Sequence, residues 1–292
     1  MKTLFSKYQL RRKSDQYLQS GALLKIIDAD KNWGVSDICP WPHLGDLNLE
    51  QQISKKGPLY RRAEVLAHID LQARKSRQKL IDETVVENNF LVTDLNKNSF
   101  EKGTLKIKAD SQFELLLNFL NDHQAPKMRI DFNCRLNSQQ FSELIPQLPK
   151  NIEYIEDPTL WNYQNWKIWN QRVPLAVDFA DVPPFDYLDA WSHLIIKPSR
   201  QDADFLIKMC QQHKKNFTLT SAMDHPVGVA HGLRYAQKHA QNLSGFSTLD
   251  LYEENEFNAY FICDKNKLSF KKNNDFGIGM TAALEQLKWM PV

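Results

Sequence analysis

Along most of the chain from residue 89 onward, short apolar and β-branched runs alternate with longer stretches whose apolar positions recur at helical spacing. The runs fall at 90–93, 104–108, 128–131, 152–156, 175–178, 194–197, 217–221 and 245–251. Strand runs separated by helical stretches predict a parallel sheet covered by helices. The polar residues that close six successive runs are Lys108, Asp131, Glu156, Asp178, Lys197 and Ser221. Their spacing is that of one strand, one helix and two loops. A doubly wound sheet has the same alternation. Eight runs with little spare sequence, and no glycine-rich phosphate motif after any of them, favour a closed barrel.

The first 88 residues have a different texture. Apolar runs at 22–27 and 33–38 predict a small antiparallel sheet, ended by Pro40 and Pro42. Over 60–84, Val65, Leu66, Ile69, Leu71, Leu80 and Ile81 stand among charges at roughly helical spacing, which predicts one or two amphipathic helices. The expected organisation is an α+β segment of residues 1–88, completed by the tail from about 263 to 292, set over a barrel spanning 89–262.

Composition narrows the function classes. The 292 residues carry 37 Lys and Arg against 35 Asp and Glu, a net charge of +2, too balanced for nucleic acid to be the main partner. The basic clusters at 55–56, 61–62 and 74–77 read as solvated faces. Cys39, Cys134, Cys210 and Cys263 are far apart, in no metal-ligand spacing, and are expected to be reduced. No run resembles a signal-peptide core or a membrane span, so a cytoplasmic location with no membrane partner is expected. Nothing in the sequence sets the oligomeric state.

In a barrel, reactive side chains stand where the strands end and the loops open. Lys106 and Lys108, two residues apart on one strand, share a face, while Leu105 and Ile107 take the other. Arg129, Asp131 and Asn133 alternate in the same way. Then come Glu156, Asp178 and Lys197. Singly, each is an ordinary strand edge or helix cap. Together they set Lys, Asp, Glu, Asp and Lys on five consecutive strands. Three carboxylates from neighbouring strands suit a hard divalent cation, magnesium before manganese. Flanking lysines can move protons or stabilise negative charge.

These residues are similar to the signature of the enolase superfamily and, within its muconate-lactonizing-enzyme-like subgroup, to the o-succinylbenzoate synthase family. The resemblance spans nearly the whole chain. It includes the W-G…P-x-P stretch at 33–42, the K-x-K of Lys106 and Lys108, and the R-x-D-x-N of Arg129, Asp131 and Asn133. It continues with Glu156, Asp178 and Lys197, and ends in G-F-S-T-L-D-L at 245–251, which resembles the family's G-L-D-T-L-D-L. The resemblance implies a modified TIM-type (β/α)7β barrel under an N-terminal α+β capping domain. It also implies dehydration of a small carboxylate, 2-succinyl-6-hydroxy-2,4-cyclohexadiene-1-carboxylate, to o-succinylbenzoate on the route to menaquinone.

By the same resemblance, Asp131, Glu156 and Asp178 would hold Mg2+ (or Mn2+). Lys108 would be the base, with the charge of Lys106 favouring its free amine, and Lys197 would stabilise the enolate-like charge from the opposite face. Thr220, Ser221, Gly245, Arg129 and Asn133 would bind substrate. Three departures from the family pattern stand out: Phe179 after Asp178 where Glu is usual, Asp37 in place of a capping-domain Glu, and T-S-A-M-D at 220–224 for S-S-S-I-E. His225 and His231, six residues apart, are read as structural. Trp161, Tyr163, Trp166 and Trp169 are read as helix packing. An N-acylamino acid racemase or dipeptide epimerase would use the same lysine pair, and a non-catalytic barrel that keeps the metal site is a further alternative.

Overall fold

The computed structural model describes residues 1–96, 103–123, 125–178 and 185–291. It opens with three antiparallel strands, β1 (Lys2–Arg11), β2 (Leu18–Ile27) and β3 (Trp33–Ile38), followed by α1 (Leu49–Ser54) and α2 (Pro58–Lys75). Strict alternation on β2 turns Ala22, Leu24 and Ile26 toward Leu59, Tyr60, Ala63, Ala67 and Leu71 of α2. Leu23 takes the other face and joins the large core that extends under the barrel. α2 lies so close to β3 that a Cβ on Gly34 would meet the Ala67 carbonyl at 2.1 Å. Asp70, fully buried, ties this contact together. It accepts from the Val35 and Ile278 amides at 2.9 and 2.8 Å and from Arg74 Nε at 2.9 Å.

The helical expectation for 60–84 holds only to residue 75. Arg77 takes a left-handed φ of 55°, and the Gln78 amide returns to the Ala73 carbonyl at 2.8 Å. This ends the helix with its last carbonyls satisfied. Leu80 instead lies on an extended segment, its amide bonded to the Gly277 carbonyl at 2.8 Å.

After β4 (Val86–Glu87), seven parallel strands follow in sequence order: β5 (Phe90–Val92), β6 (Leu105–Lys108), β7 (Met128–Asp131), β8 (Ile152–Glu156), β9 (Leu175–Val177), β10 (His193–Ile196) and β11 (Asn216–Leu219). Helices α3 (Phe113–Asp122), α4 (Ser138–Leu144), α5 (Tyr163–Asn170), α6 (Ala203–Gln212) and α7 (Pro226–His239) lie between or after them. Leu105, Ile107, Ile130, Ile155, Leu194, Ile196, Phe217 and Leu219 belong to the core under these helices. The alternate positions face the barrel interior. Trp166 and Trp169 of α5 are buried in the same core, as helix packing requires.

The eighth strand expected over 245–251 is reduced to a two-residue clasp. The Ser244 amide bonds the Glu87 carbonyl at 2.9 Å, and its carbonyl accepts from Asn89 at 3.0 Å. Gly245 does the same with Leu219 (2.9 Å) and Ser221 (3.1 Å). Ser244 and Gly245 thus bridge β5 to β11 and close the ring. The chain cannot continue as a strand, because the Thr248 amide turns back to Phe246 at 2.8 Å and 249–251 form a 3-10 turn. The tail adds β12 (Phe261–Asp264), β13 (Lys267–Phe270), α8 (Thr281–Glu285) and β14 (Met290–Pro291). β13 pairs with β4, and β14 pairs with β1 at the edge of the first sheet. Among the described residues, no helix is long and apolar enough to cross a membrane.

The first sheet docks on α7 through buried polar contacts. His231 Nε2 lies 2.9 Å from the Val35 carbonyl, and the His225 amide donates to Asp37 at 3.0 Å. Burial pushes both imidazoles down to about 3. The unfolded chain takes up these protons near pH 6.5, whereas the folded chain resists until about pH 3. Their contribution is therefore complete above about pH 6.5 and is lost as pH falls through that interval. His231→Gln should flatten the acid side of the stability profile by up to about 1.4 kcal/mol per pH unit, measured by urea unfolding at pH 7, 6, 5 and 4.

Candidate active site

The parallel register sets Lys108, Asp131 and Glu156 side by side at the strand ends. Lys106 Nζ, one step below, reaches both Glu156 oxygens at 2.7 and 2.6 Å and Asp131 Oδ2 at 3.1 Å. Lys108 also bonds Asp131 Oδ2. Across the ring, Lys197 Nζ is 2.5 Å from Asp178 Oδ2. Asp131 and Glu156 are each 1% exposed, so these ammonium groups stand in for water around them; burial and the neighbouring Asp131 nevertheless push the Glu156 carboxyl well above the usual carboxylate range. Burial opposes ionisation of both Lys106 and Asp131, yet the pairing wins. Glu156 and Asp131 hold the Lys106 ammonium well above its ordinary range, and Lys106 and Lys108 hold Asp131 below the usual carboxylate range.

Asp157, which the sequence reading noted beside Glu156 but gave no role, completes the acidic side. It sits at a left-handed φ of 41° and accepts the Asp178 amide at 3.1 Å. Burial and the neighbouring Asp178 push its carboxyl up to about 8. The strand-to-loop turn that follows Glu156 was the available signal, since aspartate tolerates left-handed backbone and caps nearby amides.

The carboxylates present hard oxygens suited to a divalent cation. Asp178 Oδ1 is buried and has no hydrogen-bond partner among the described residues, an acceptor waiting for a cation or a donor. The oxygens are not drawn into a ready cluster: among the described residues, no group of three or more metal-type side chains converges, because each carboxylate leans toward a lysine. The donor set fits magnesium, and seating the ion means exchanging lysine contacts for metal contacts.

A cavity of about 100 Å³ opens beside these groups, lined by Lys106, Lys108, Asp178 and Lys197 together with Thr220, Ser221 and Gly245. Asp131 and Glu156 lie behind the lysines. The hydroxyl of Thr220 donates to the Gly245 carbonyl at 2.8 Å, and Ser221 Oγ is 2.6 Å from Thr248 Oγ1. The Gly245 amide, expected to bind substrate, is instead spent on Leu219 in the closing clasp. What this glycine supplies is room, because a Cβ here would meet Thr220 Oγ1 at 2.5 Å. Asn89, Leu91, Met223 and Leu251 also line the cavity; the sequence reading gave none of them a role, because apolar and amide side chains carry no chemical signature of their own.

Two other expectations are corrected. Arg129 does not reach the cavity wall. It is 1% exposed, bonded by Nε to Glu153 at 2.6 Å and by Nη1 to Asn89 Oδ1 and the Leu243 carbonyl at 3.1 and 2.9 Å, with Tyr154 against its guanidinium. One step down an inward-facing strand from Asp131, a long side chain fills the barrel interior. Asn133 is exposed, with φ 47°, and serves through its backbone amide, which donates to Asp131 Oδ1 at 3.1 Å. Phe179, singled out as a departure from the superfamily pattern, lies outside the described residues.

A ring of parallel strands that carries lysines and carboxylates at one mouth, beneath an α+β layer, defines an enzyme of the enolase superfamily. A dipeptide epimerase from Cytophaga hutchinsonii, solved with Mg and the dipeptide D-Ala-L-Val, has the same fold with a TM-score of 0.80 at 15% identity, covering 99% of this chain and 98% of that one. A mandelate racemase/muconate lactonizing enzyme from Roseiflexus sp. gives 0.78 at 14% identity, covering 99% and 98%. Residues 3–73 match the family described as O-succinylbenzoate synthase, N-terminal domain. An o-succinylbenzoate synthase from Bdellovibrio bacteriovorus is 31% identical over 307 residues, 93% of this chain and 91% of that protein. The chain belongs to the o-succinylbenzoate synthase family, lyases of the enolase superfamily.

The close approach at the clasp can be tested. Gly245→Ala should cost about 1–3 kcal/mol through overpacking. Adding Thr220→Ala, which removes the obstructing hydroxyl, should recover part of that loss, so that the pair costs less than the sum of the single changes in urea unfolding.

Proposed function

We propose that the chain is an o-succinylbenzoate synthase. Its reaction would be the syn elimination of water from 2-succinyl-6-hydroxy-2,4-cyclohexadiene-1-carboxylate in the cytoplasm, on the route to menaquinone. The observation that carries this reading is that Lys108, at the end of β6, and Lys197, just after β10 four strands away around the ring, line one small cavity, each paired to a carboxylate. Asp131, Glu156 and Asp178 would hold a magnesium ion, which supplies positive charge for the substrate carboxylate as the adjacent proton leaves; manganese suits the same oxygens.

Lys108, 40% exposed at its side chain, is the better placed of the first lysine pair to meet substrate. As a free amine it takes the proton from the ring carbon that bears the carboxylate. The carbon–oxygen bond at the neighbouring hydroxyl then breaks, and the Lys108 ammonium returns the proton to the departing hydroxide as water. Lys197, as a cation on the far side, stabilises the electron-rich ring. Lys106 stays an ammonium. Clamped by Glu156 and Asp131, it holds the buried carboxylates in place rather than exchanging protons. Ser221 and Thr248, whose hydroxyls share one hydrogen bond, leave a second donor for the succinyl arm.

Conversion followed by loss of diene absorbance tests this directly. The protein with magnesium should convert the cyclohexadiene carboxylate. Lys108→Ala and Lys197→Ala should each lower kcat by about 10²–10⁴-fold or more, and EDTA should abolish turnover until magnesium or manganese is returned. No conversion, together with α-proton exchange on acylamino acids or dipeptides, would move the assignment to a racemase or epimerase.

A further inference from the structure

The cavity floor holds a polar group that none of these roles uses. Asn89 immediately precedes β5 and is only 5% exposed, yet it lines the cavity with Lys106 and Gly245. Its backbone amide is fixed in the closing clasp on the Ser244 carbonyl at 3.0 Å. Its side-chain oxygen accepts from Arg129 Nη1 at 3.1 Å. An amide oxygen pinned by a guanidinium settles which way the carboxamide points, because the alternative would set N–H against N–H. The NH2 group is therefore the end left over, and among the described residues no acceptor takes its protons.

Arg129 is in turn immobilised. Glu153 grips its Nε at 2.6 Å, the Leu243 carbonyl takes Nη1 at 2.9 Å, and its charged carbon lies 5.1 Å from the Tyr154 ring centre. A buried cation held at Nε and Nη1, with one bond to a cavity-lining amide, is a positioning device: it fixes a neutral donor without bringing its own charge to the ligand.

We propose that Asn89 is a specificity-determining donor that recognises an oxygen of the substrate's side arm, and that Arg129 is the positioning residue that orients it. The arm is the partner of choice because Asn89 is joined through Ser244 to Gly245, on the Thr220 and Ser221 side of the cavity, whereas the ring carboxylate belongs with the acidic side. The proposal rests on the synthase reading for the identity of the arm. It adds a third point of contact, from the first barrel strand, to a pocket otherwise read from its last strands.

Asn89→Asp tests it with little risk to the fold, because the new carboxylate keeps Arg129 as its partner while turning an acceptor toward the cavity. Calorimetric titration of the magnesium-loaded protein should show o-succinylbenzoate binding weakened about ten-fold or more. Benzoate, which has the ring carboxylate and no arm, should change by less than two-fold. Arg129→Met should produce the same selective loss in smaller measure, and in turnover both changes should raise KM more than they lower kcat. Equal loss for both ligands, or loss for neither, would overturn the proposal, as would a parent protein that does not bind o-succinylbenzoate. A parent that binds o-succinylbenzoate selectively through Asn89 but does not turn over the cyclohexadiene carboxylate would leave the arm contact standing and remove the synthase reading alone.

Discussion

Two carboxylates at 1% exposure, Asp131 and Glu156, sit against one another inside the barrel mouth, and the site depends on what makes that placement tolerable. Removing an ion from water costs several kcal/mol unless partners replace the hydration. Lys106 does so with three contacts of 2.6–3.1 Å to the two acids, one step below the rim. The lysine closer to the rim, Lys108, pairs among the described residues with Asp131 alone and is far more exposed. One K-x-K motif thus yields two different groups. The lower lysine is a fixed counterion that lets the acids be buried, and the upper one, more exposed, lines the cavity.

Closure of the ring is the second constraint. Seven strands leave a gap that a full eighth strand does not fill; Ser244 and Gly245 fill it with four backbone hydrogen bonds. Because the clasp is short, the chain can turn at once into the segment that carries Thr248 and Leu251 to the cavity. Leu251 also accepts the Lys13 amide at 2.9 Å, so the hairpin between β1 and β2 meets the cavity wall here. The economy has a steric consequence. With so little backbone between β11 and β5, residue 245 has no room for a side chain beside Thr220.

Much of this was legible in the sequence, and the reasons are specific. Period-two alternation at 104–108 and 128–131 foretold which side chains face inward, and a spacing near two dozen residues foretold the barrel. The charged strand ends foretold which side chains gather at its mouth. What could not be read follows from tertiary contacts. Nothing local distinguishes Gly245–Leu251 as a clasp from a strand, since the run is apolar enough for either, and the competing turn at Phe246–Thr248 is set by Asn88, whose side chain accepts the Phe246 amide at 2.7 Å. Likewise the apolar positions at 80 and 81 continue a helical rhythm that Arg77 has already ended by entering left-handed backbone.

The R-x-D-x-N motif shows most clearly how pattern and role part company. Its three alternating residues predicted three side chains on one face, and a shared face invites a shared function. The barrel separates them by depth instead. Asp131 stands at the level of the lysines; Arg129, one pleat lower, is sealed among Glu153, Tyr154 and Asn89; Asn133, one pleat higher, has left the strand and offers only its backbone amide. A step of two residues moves a side chain about 6–7 Å along the tilted strand, and over that distance the surroundings pass from packed interior through a charged mouth to solvent. Residues on one face of one strand therefore do different chemistry, and their assignment requires the depth at which the cavity floor lies, which is set by the side chains of neighbouring strands.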